Sequence, residues 1–204
     1  MKKLVLFLCI GIVACTNQHQ PKIVRIVPFG AIPPSHFEII KEALEKAYPI
    51  KVVLNDFVSL PQESFVNEKT PRYRADKLIF FLKNEFKSDE YKAGYIAKDI
   101  STTKKNALGL TLKPASRYRD WGVFGLGYKP GKACIVSTFR MKGKGGKVLK
   151  ERLAKVFVHE IGHNMGLPHC ADTQCVMTDA AESIKTIDLV KGNLCNSCRS
   201  KLDL

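Results

Sequence analysis

His159-Glu160-Ile161-Gly162-His163-Asn164-Met165-Gly166-Leu167-Pro168-His169 is the stretch from which the rest of the chain is read. Just upstream, Leu149, Leu153, Val156 and Phe157 recur at helical spacing, so Val148 to Gly166 is expected as a helix. Residues four apart on a helix differ by about 40° of rotation and about 6 Å of rise, so His159 and His163 can reach one metal ion. Glu160 then sits beside the first ligand without binding the metal itself. Gly166 can take the left-handed conformation that ends a helix, and Pro168 prevents continuation, so the chain turns back and His169 faces the same ion. Three neutral imidazoles leave one position open on a tetrahedral zinc, the arrangement of catalytic sites. A water there is acidified toward neutrality, and Glu160 can take its proton as it attacks a peptide carbonyl polarised by the Zn²⁺.

Cys170 follows the third histidine directly, and Cys175, Met177, Cys195 and Cys198 come after it. The histidine stretch has the metzincin metallopeptidase pattern, and with these cysteines the run 159–198 resembles the archaemetzincin family. Gly122 to Tyr128 and Cys134 to Arg140 resemble its strand region more loosely. The resemblance implies that His159, His163 and His169 bind a catalytic zinc and that Glu160 is general base and acid. It implies that Met177 forms the methionine turn beneath the metal, and that Cys170, Cys175, Cys195 and Cys198 bind a second, structural zinc. Four thiolates in two close-spaced pairs would independently satisfy a closed tetrahedral site that contributes folding energy. Disulfides within Cys170/Cys175 or Cys195/Cys198 are the alternative, each closing a very short loop. Cys134 is left over, as a buried strand residue.

Outside this region the chain alternates strand and helix signals. Lys22 to Val27 is rich in β-branched residues and stops at Pro28-Phe29-Gly30. Ser35, with Glu38 three residues on, is expected to cap a helix carrying Phe37, Ile40, Ala43, Leu44 and Ala47 on its apolar face. Ile50 to Leu54 reads as a strand, Phe57 to Arg72 as a long loop, and Ala75 to Phe86 as a helix. A third strand is expected at Ala93 to Ala97 or at Ala107 to Leu112, and the pattern does not choose between them. Trp121 to Tyr128 and Ala133 to Ser137 read as two strands joined by a short turn, the first being the candidate edge for binding extended substrate by strand addition. Met141 to Lys147 is too glycine-rich for a core element and reads as a basic loop.

The 204 residues carry 33 Lys and Arg against 19 Asp and Glu, a net charge of +14 with ordinary globular hydrophobicity. That excludes disordered, collagenous and coiled-coil classes and suits an acidic partner surface or anionic headgroups. Basic runs lack interleaved aromatics, so no nucleic-acid partner is expected. Met1-Lys2-Lys3 followed by the apolar run Leu4 to Val13 is about half the length needed to span a bilayer and reads as a secretory leader. Ile12-Val13-Ala14-Cys15 resembles the bacterial lipobox, which implies a chain lipidated at Cys15 and held at the cell envelope, outside the cytoplasm.

The expected architecture is α/β, a metzincin-like catalytic domain: a twisted, mostly parallel sheet with an antiparallel edge strand, a backing helix, an active-site helix and a small zinc-stapled C-terminal part. The boundaries read as leader 1–14, tether 15–22 and catalytic domain 23–204, with 23–166 above and 167–204 below a cleft. The expected activity is zinc-dependent hydrolysis of peptide or protein substrates by a monomer carrying two Zn²⁺. The sequence does not choose between endopeptidase and aminopeptidase action. The rival is a zinc lipoprotein that binds a peptide or envelope component without cutting it.

Overall fold

The computed structural model describes residues 22–204 except 87, 142, 144, 180–182 and 203. The leader, Cys15 and all of the tether but Lys22 lie outside the described residues, as do two lysines of the basic loop. Among the described residues no helix is long and apolar enough to cross a membrane.

Strand β1 (Lys22–Phe29) leads into α1 (Pro34–Ala47) and β2 (Ile50–Leu54). After the short strands β3 (Phe65–Val66) and β4 (Arg72–Arg74) come α2 (Ala75–Glu85), β5 (Tyr91–Ile96) and β6 (Ile100–Thr102). A single helical turn, α3 (Ala115–Tyr118), precedes β7 (Trp121–Val123), β8 (Gly125–Gly127) and β9 (Ala133–Ser137). Helices α4 (Gly146–Asn164), α5 (Ile184–Leu189) and α6 (Asn196–Ser200) complete the chain.

The main sheet has five strands in the order β2-β1-β5-β9-β8. The first four run parallel, and β8 closes one edge antiparallel to β9. A parallel sheet must be covered on both faces, which is why β5 and β9 are buried along their whole length. One face packs α1 and α4 through Ile40, Leu44, Leu153 and Phe157. The other packs α2 through Leu78, Ile79 and Leu82. The first core also takes in Leu167, Cys175, Val176, Met177, Ile187, Leu194 and Cys198, so the segment after α4 shares the core of the sheet.

One open choice is settled in favour of the run at 93–97, and several expectations are corrected. The third strand is β5; Ala107 to Leu112 forms an exposed hairpin with one isolated bridge, Lys105 to Thr111. Ser35 lies inside α1 and caps nothing, because Pro34 takes the first helical position, where its fixed φ and missing N–H cost least. Trp121 to Tyr128 is two strands: the chain changes sheets at Phe124, with β7 pairing β6 and β8 pairing β9. The expected loop 57–72 contains β3 and the first residue of β4. These belong to a second, four-stranded sheet, β3-β4-β6-β7.

Beside its apolar contacts, this small sheet is tied together by three buried charged side chains and one at the surface, Arg140. Asp99 accepts from Arg140 through both oxygens, at 2.6 and 2.8 Å, and lies 3.4 Å from Arg72, which also reaches Asp120 at 3.5 Å. A side chain on Gly122 of β7 would overlap the Arg140 guanidinium. Removing one member of a buried charge group leaves the others desolvated without compensation. Asp99→Ala is therefore expected to cost about 3 kcal/mol of stability in urea unfolding, with the fold otherwise retained.

Candidate metal centre

Helix α4 supplies His159 and His163, and the turn after it supplies His169. The turn is built by the backbone. Gly166 has φ +102°, a value that favours glycine. Its N–H bonds His163 O at 2.9 Å, and the Leu167 N–H reaches back to Gly162 O at 2.9 Å. This is the paired bonding of a Schellman cap, which satisfies the last carbonyls of the helix while reversing the chain. The reversal also orients an imidazole: Leu167 O receives the His163 Nδ1–H at 2.8 Å. Val176 O receives the His159 Nδ1–H at 2.8 Å. Because a carbonyl can only accept, both Nδ1 atoms carry the proton, and both Nε2 lone pairs are left for a metal.

Ligand atoms of the three histidines lie within 4.8 Å of one another. Burial, followed by the neighbouring His163, drives His159 down to about 4; burial also lowers His163. The two are neutral near pH 7, as ligands must be. His169 is more exposed, and its Nδ1 stands 3.6 Å from Asp179 Oδ2. Asp179 is absent from the sequence-based site; its only signal there is an acid two residues past Met177.

Glu160 lies beside this group and is 7% exposed. Burial pushes its carboxyl up to about 8, and a hydrogen bond from the Gly127 backbone pulls the other way. A cation on the imidazoles would favour the carboxylate further. The strand above is glycine at alternate positions for a steric reason. A Cβ on Gly125 would stand 2.7 Å from Glu160 Oε1, and one on Gly127 would stand 2.7 Å from the Glu160 carbonyl. Asn164 fixes the far end of the same contact, its side-chain amide donating to Tyr128 O and Ala133 O at 3.1 Å each, while its backbone carbonyl accepts from Gly131 N–H at 3.1 Å. The sequence reading passed over Asn164 and these glycines. Each sits next to a motif residue, but its work is visible only across elements.

Met177 is fully buried below α4, and a Cβ on Gly162 would overlap its sulfur. The Tyr48 hydroxyl closes in on the same spot while donating to Val158 O at 2.8 Å.

The four expected cysteines converge next door, all free, with sulfurs within 4.8 Å of one another. Cys170 and Cys195 are 3.7 Å apart, Cys175 and Cys198 3.8 Å. Zn–S bonds of about 2.3 Å place tetrahedral sulfurs about 3.8 Å apart, so the donor set fits zinc in type and spacing. Backbone bonds couple the clusters: Cys170 N–H donates to Met177 O at 2.9 Å, and Val176, whose carbonyl orients His159, is held by Asn193 O at 3.0 Å. Cys134 lies fully buried in β9, as expected.

The histidines open onto a cleft of about 260 Å³. Trp121, Val123 and Phe124 line it from the strands, and Val156, Ile187 and Val190 from the helical part; its lining is largely apolar.

A five-stranded α/β sheet with an antiparallel edge over a helix carrying two of three convergent imidazoles and a buried glutamate defines a metallopeptidase of metzincin type. Residues 36–204 match the model of peptidase family M54. An archaemetzincin of Haloquadratum walsbyi is 31% identical over 189 residues, covering 88% of this chain and 99% of the relative. One from Halobacterium salinarum is 30% identical, covering 86% and 96%. The chain belongs to peptidase family M54, the archaemetzincins, and is a zinc metallopeptidase. Among solved structures, the archaemetzincin of Methanopyrus kandleri superposes with a TM-score of 0.72 at 25% identity, covering 92% of this chain and 97% of that one. The Archaeoglobus fulgidus archaemetzincin, solved with malonate, shares the fold at a TM-score of 0.68, covering 88% and 99%.

Gly162→Ala is expected to force Met177 and the turn it belongs to away from α4. The cost should be about 1–3 kcal/mol, typical of overpacking, with weaker metal retention on dialysis against a chelator.

Proposed function

We propose that this chain hydrolyses peptide bonds with Glu160 as general base and acid and with His159, His163 and His169 holding the catalytic Zn²⁺. The observation that carries the reading is the buried Glu160 carboxyl, set between the β8 glycines and the cleft, beside imidazoles whose Nε2 atoms are free to ligate. Zinc, when bound, acidifies water and polarises the substrate carbonyl. Glu160 takes the proton of the attacking water and returns it to the leaving amine. The Gly127 backbone and the glycine side of β8 hold the carboxyl in place. The outer edge of β8 offers backbone groups to an extended substrate by strand addition, and the apolar cleft wall takes side chains flanking the scissile bond. Met177 serves as the methionine turn under the metal.

Cys170, Cys175, Cys195 and Cys198 hold a second, structural Zn²⁺ that keeps His169 and the Met177 turn in register. We take residues 23–166 as the part above the cleft and 167–204 as the part below it. Cys15 is the lipidation site, residues 15–22 the tether, and the bacterial cell envelope outside the cytoplasm the location, on the strength of the leader pattern. The active form is a monomer.

Glu160→Gln is expected to lower hydrolysis of a peptide library about a hundredfold to ten-thousandfold, leaving zinc content and the circular dichroism spectrum unchanged. Undiminished cleavage would remove the mechanism. A zinc-loaded wild type that cuts nothing but binds peptide would favour the non-catalytic alternative. Elemental analysis of a chain starting at Thr16 should give two zincs, and denaturation under chelation should release the thiols of all five cysteines found free. Cys175→Ser should lose one zinc and unfold more readily. One zinc with missing thiols in the wild type would reassign the cysteines to disulfides.

A further inference from the structure

The hairpin that leaves the cleft wall at Lys104 has no part in the proposed chemistry, yet it is carefully built. Asn106 organises it: its side-chain Oδ1 accepts from the N–H groups of both Leu108 and Leu110 at 3.0 Å. Its backbone N–H donates to Leu110 O at 2.9 Å, and its carbonyl accepts from Gly109 N–H at 3.0 Å. Gly109 takes φ +76° at the turn. The base is closed by Leu112 N–H to Lys104 O at 3.0 Å and by Lys104 N–H to Tyr118 O at 2.9 Å. This framework displays two leucines to solvent, Leu108 at 82% exposure and Leu110 at 62%. Lys105 and Lys113 flank them in the sequence, while the Lys104 ammonium lies over the Trp121 ring, 4.8 Å from its centroid.

We propose that this hairpin is a membrane-docking loop, with Leu108 and Leu110 entering the acyl boundary of an anionic bilayer and the flanking lysines meeting its headgroups. An ordinary exposed leucine needs no explanation. Two leucines held largely in solvent by a hydrogen-bonded turn do. The composition selects the occupant. Protein interface hot spots favour Trp, Tyr and Arg and under-use Leu, and Lys is depleted from interface cores. An apolar tip backed by lysines is the pattern of surfaces that lie in the headgroup region, where each lysine gains from anionic lipid. The chain's net charge of +14 acts in the same direction. Because Lys104 and Trp121 also line the cleft, docking would bring the cleft to the lipid surface and favour substrates held there. The inference does not depend on lipidation at Cys15 or on the catalytic reading.

The test uses the chain from Thr16 to Leu204, which keeps every described residue and no lipid, in co-sedimentation with vesicles of phosphatidylcholine alone or mixed equally with phosphatidylglycerol. The wild type should bind the mixed vesicles. Leu108→Ser with Leu110→Ser should weaken that binding about tenfold or more. Phe80→Ser, which changes a side chain of similar exposure (67%) on α2, should leave it unaltered. Lys105→Glu with Lys113→Glu should weaken binding to mixed vesicles. Unchanged circular dichroism will show that each variant is folded. Failure of the wild type to bind, or equal binding by the double leucine variant, would overturn the proposal. Equal loss in Phe80→Ser would show general adhesion and would overturn it too.

Discussion

The distance at which α4 can lie under β8 governs this molecule. The helix carries two of the three histidines and the glutamate, and a strand bearing side chains at positions 125 and 127 would stand too far off to cover the Glu160 carboxyl. Glycine at both positions removes the obstacle. Gly162 does the same on the helix's lower side, admitting the Met177 sulfur and the Tyr48 hydroxyl. The helix is therefore clamped between a strand and a buried side chain. Asn164 prevents it from sliding, by bonding the turn between β8 and β9. These contacts are short-range, steric at the glycines and hydrogen-bonded at Asn164, so the placement of His159 and His163 follows from packing before any metal contributes energy.

The lower part of the site works differently, because the segment after α4 has little regular structure to hold it. Its two helices, α5 and α6, have six and five residues. Charge and thiols replace secondary structure there. Arg152 on α4 grips Asp188 on α5 through two bonds of 2.6 Å, and Lys155 donates to Ile187 O at 2.9 Å near the end of that helix. The four cysteines draw the remaining turns together. Since His169 precedes Cys170, and Cys170 bonds Met177 through its backbone, a member of one cluster cannot move without disturbing the other. Separate sites of this kind would each need their own scaffold; here the single run 159–198 carries both clusters.

Much of this was legible in the sequence because the relevant signals are local. Histidines four apart on a periodic helix, a glycine where it must end, and cysteines in two close pairs each carry their geometry within a few residues. The missed features are those decided across the chain. Strands of two or three residues, such as β3, β6 and β7, are too short for any alternation to register. Strand β5 is buried on both faces, so it shows no alternation either, and the rival run at 107–112 owes its apolar character to leucines that face solvent. Ser35 carried a sound capping signal, but Pro34 occupies the first helical position and overrides it. Asp179 and Asn164 act through contacts that no spacing rule encodes.

The second sheet explains why a small enzyme would keep a costly group of buried charges. Arg72, Asp99 and Asp120 are buried and Arg140 joins Asp99 from the exposed side; the four come from separate places in the chain, and apolar replacements of the buried three would be expected to stabilise at least as well. What they add is direction. Guanidinium and carboxylate pair in a few orientations only, so they set the angle at which β7 leaves for β8. Trp121 and Val123 of β7 line the cleft, so the pairing of this sheet positions the cleft wall. Ile100 and Val123 of the same strands pack in an apolar core as well, but apolar contact is tolerant of direction; the ion pairs narrow it, and the cleft wall inherits that restriction.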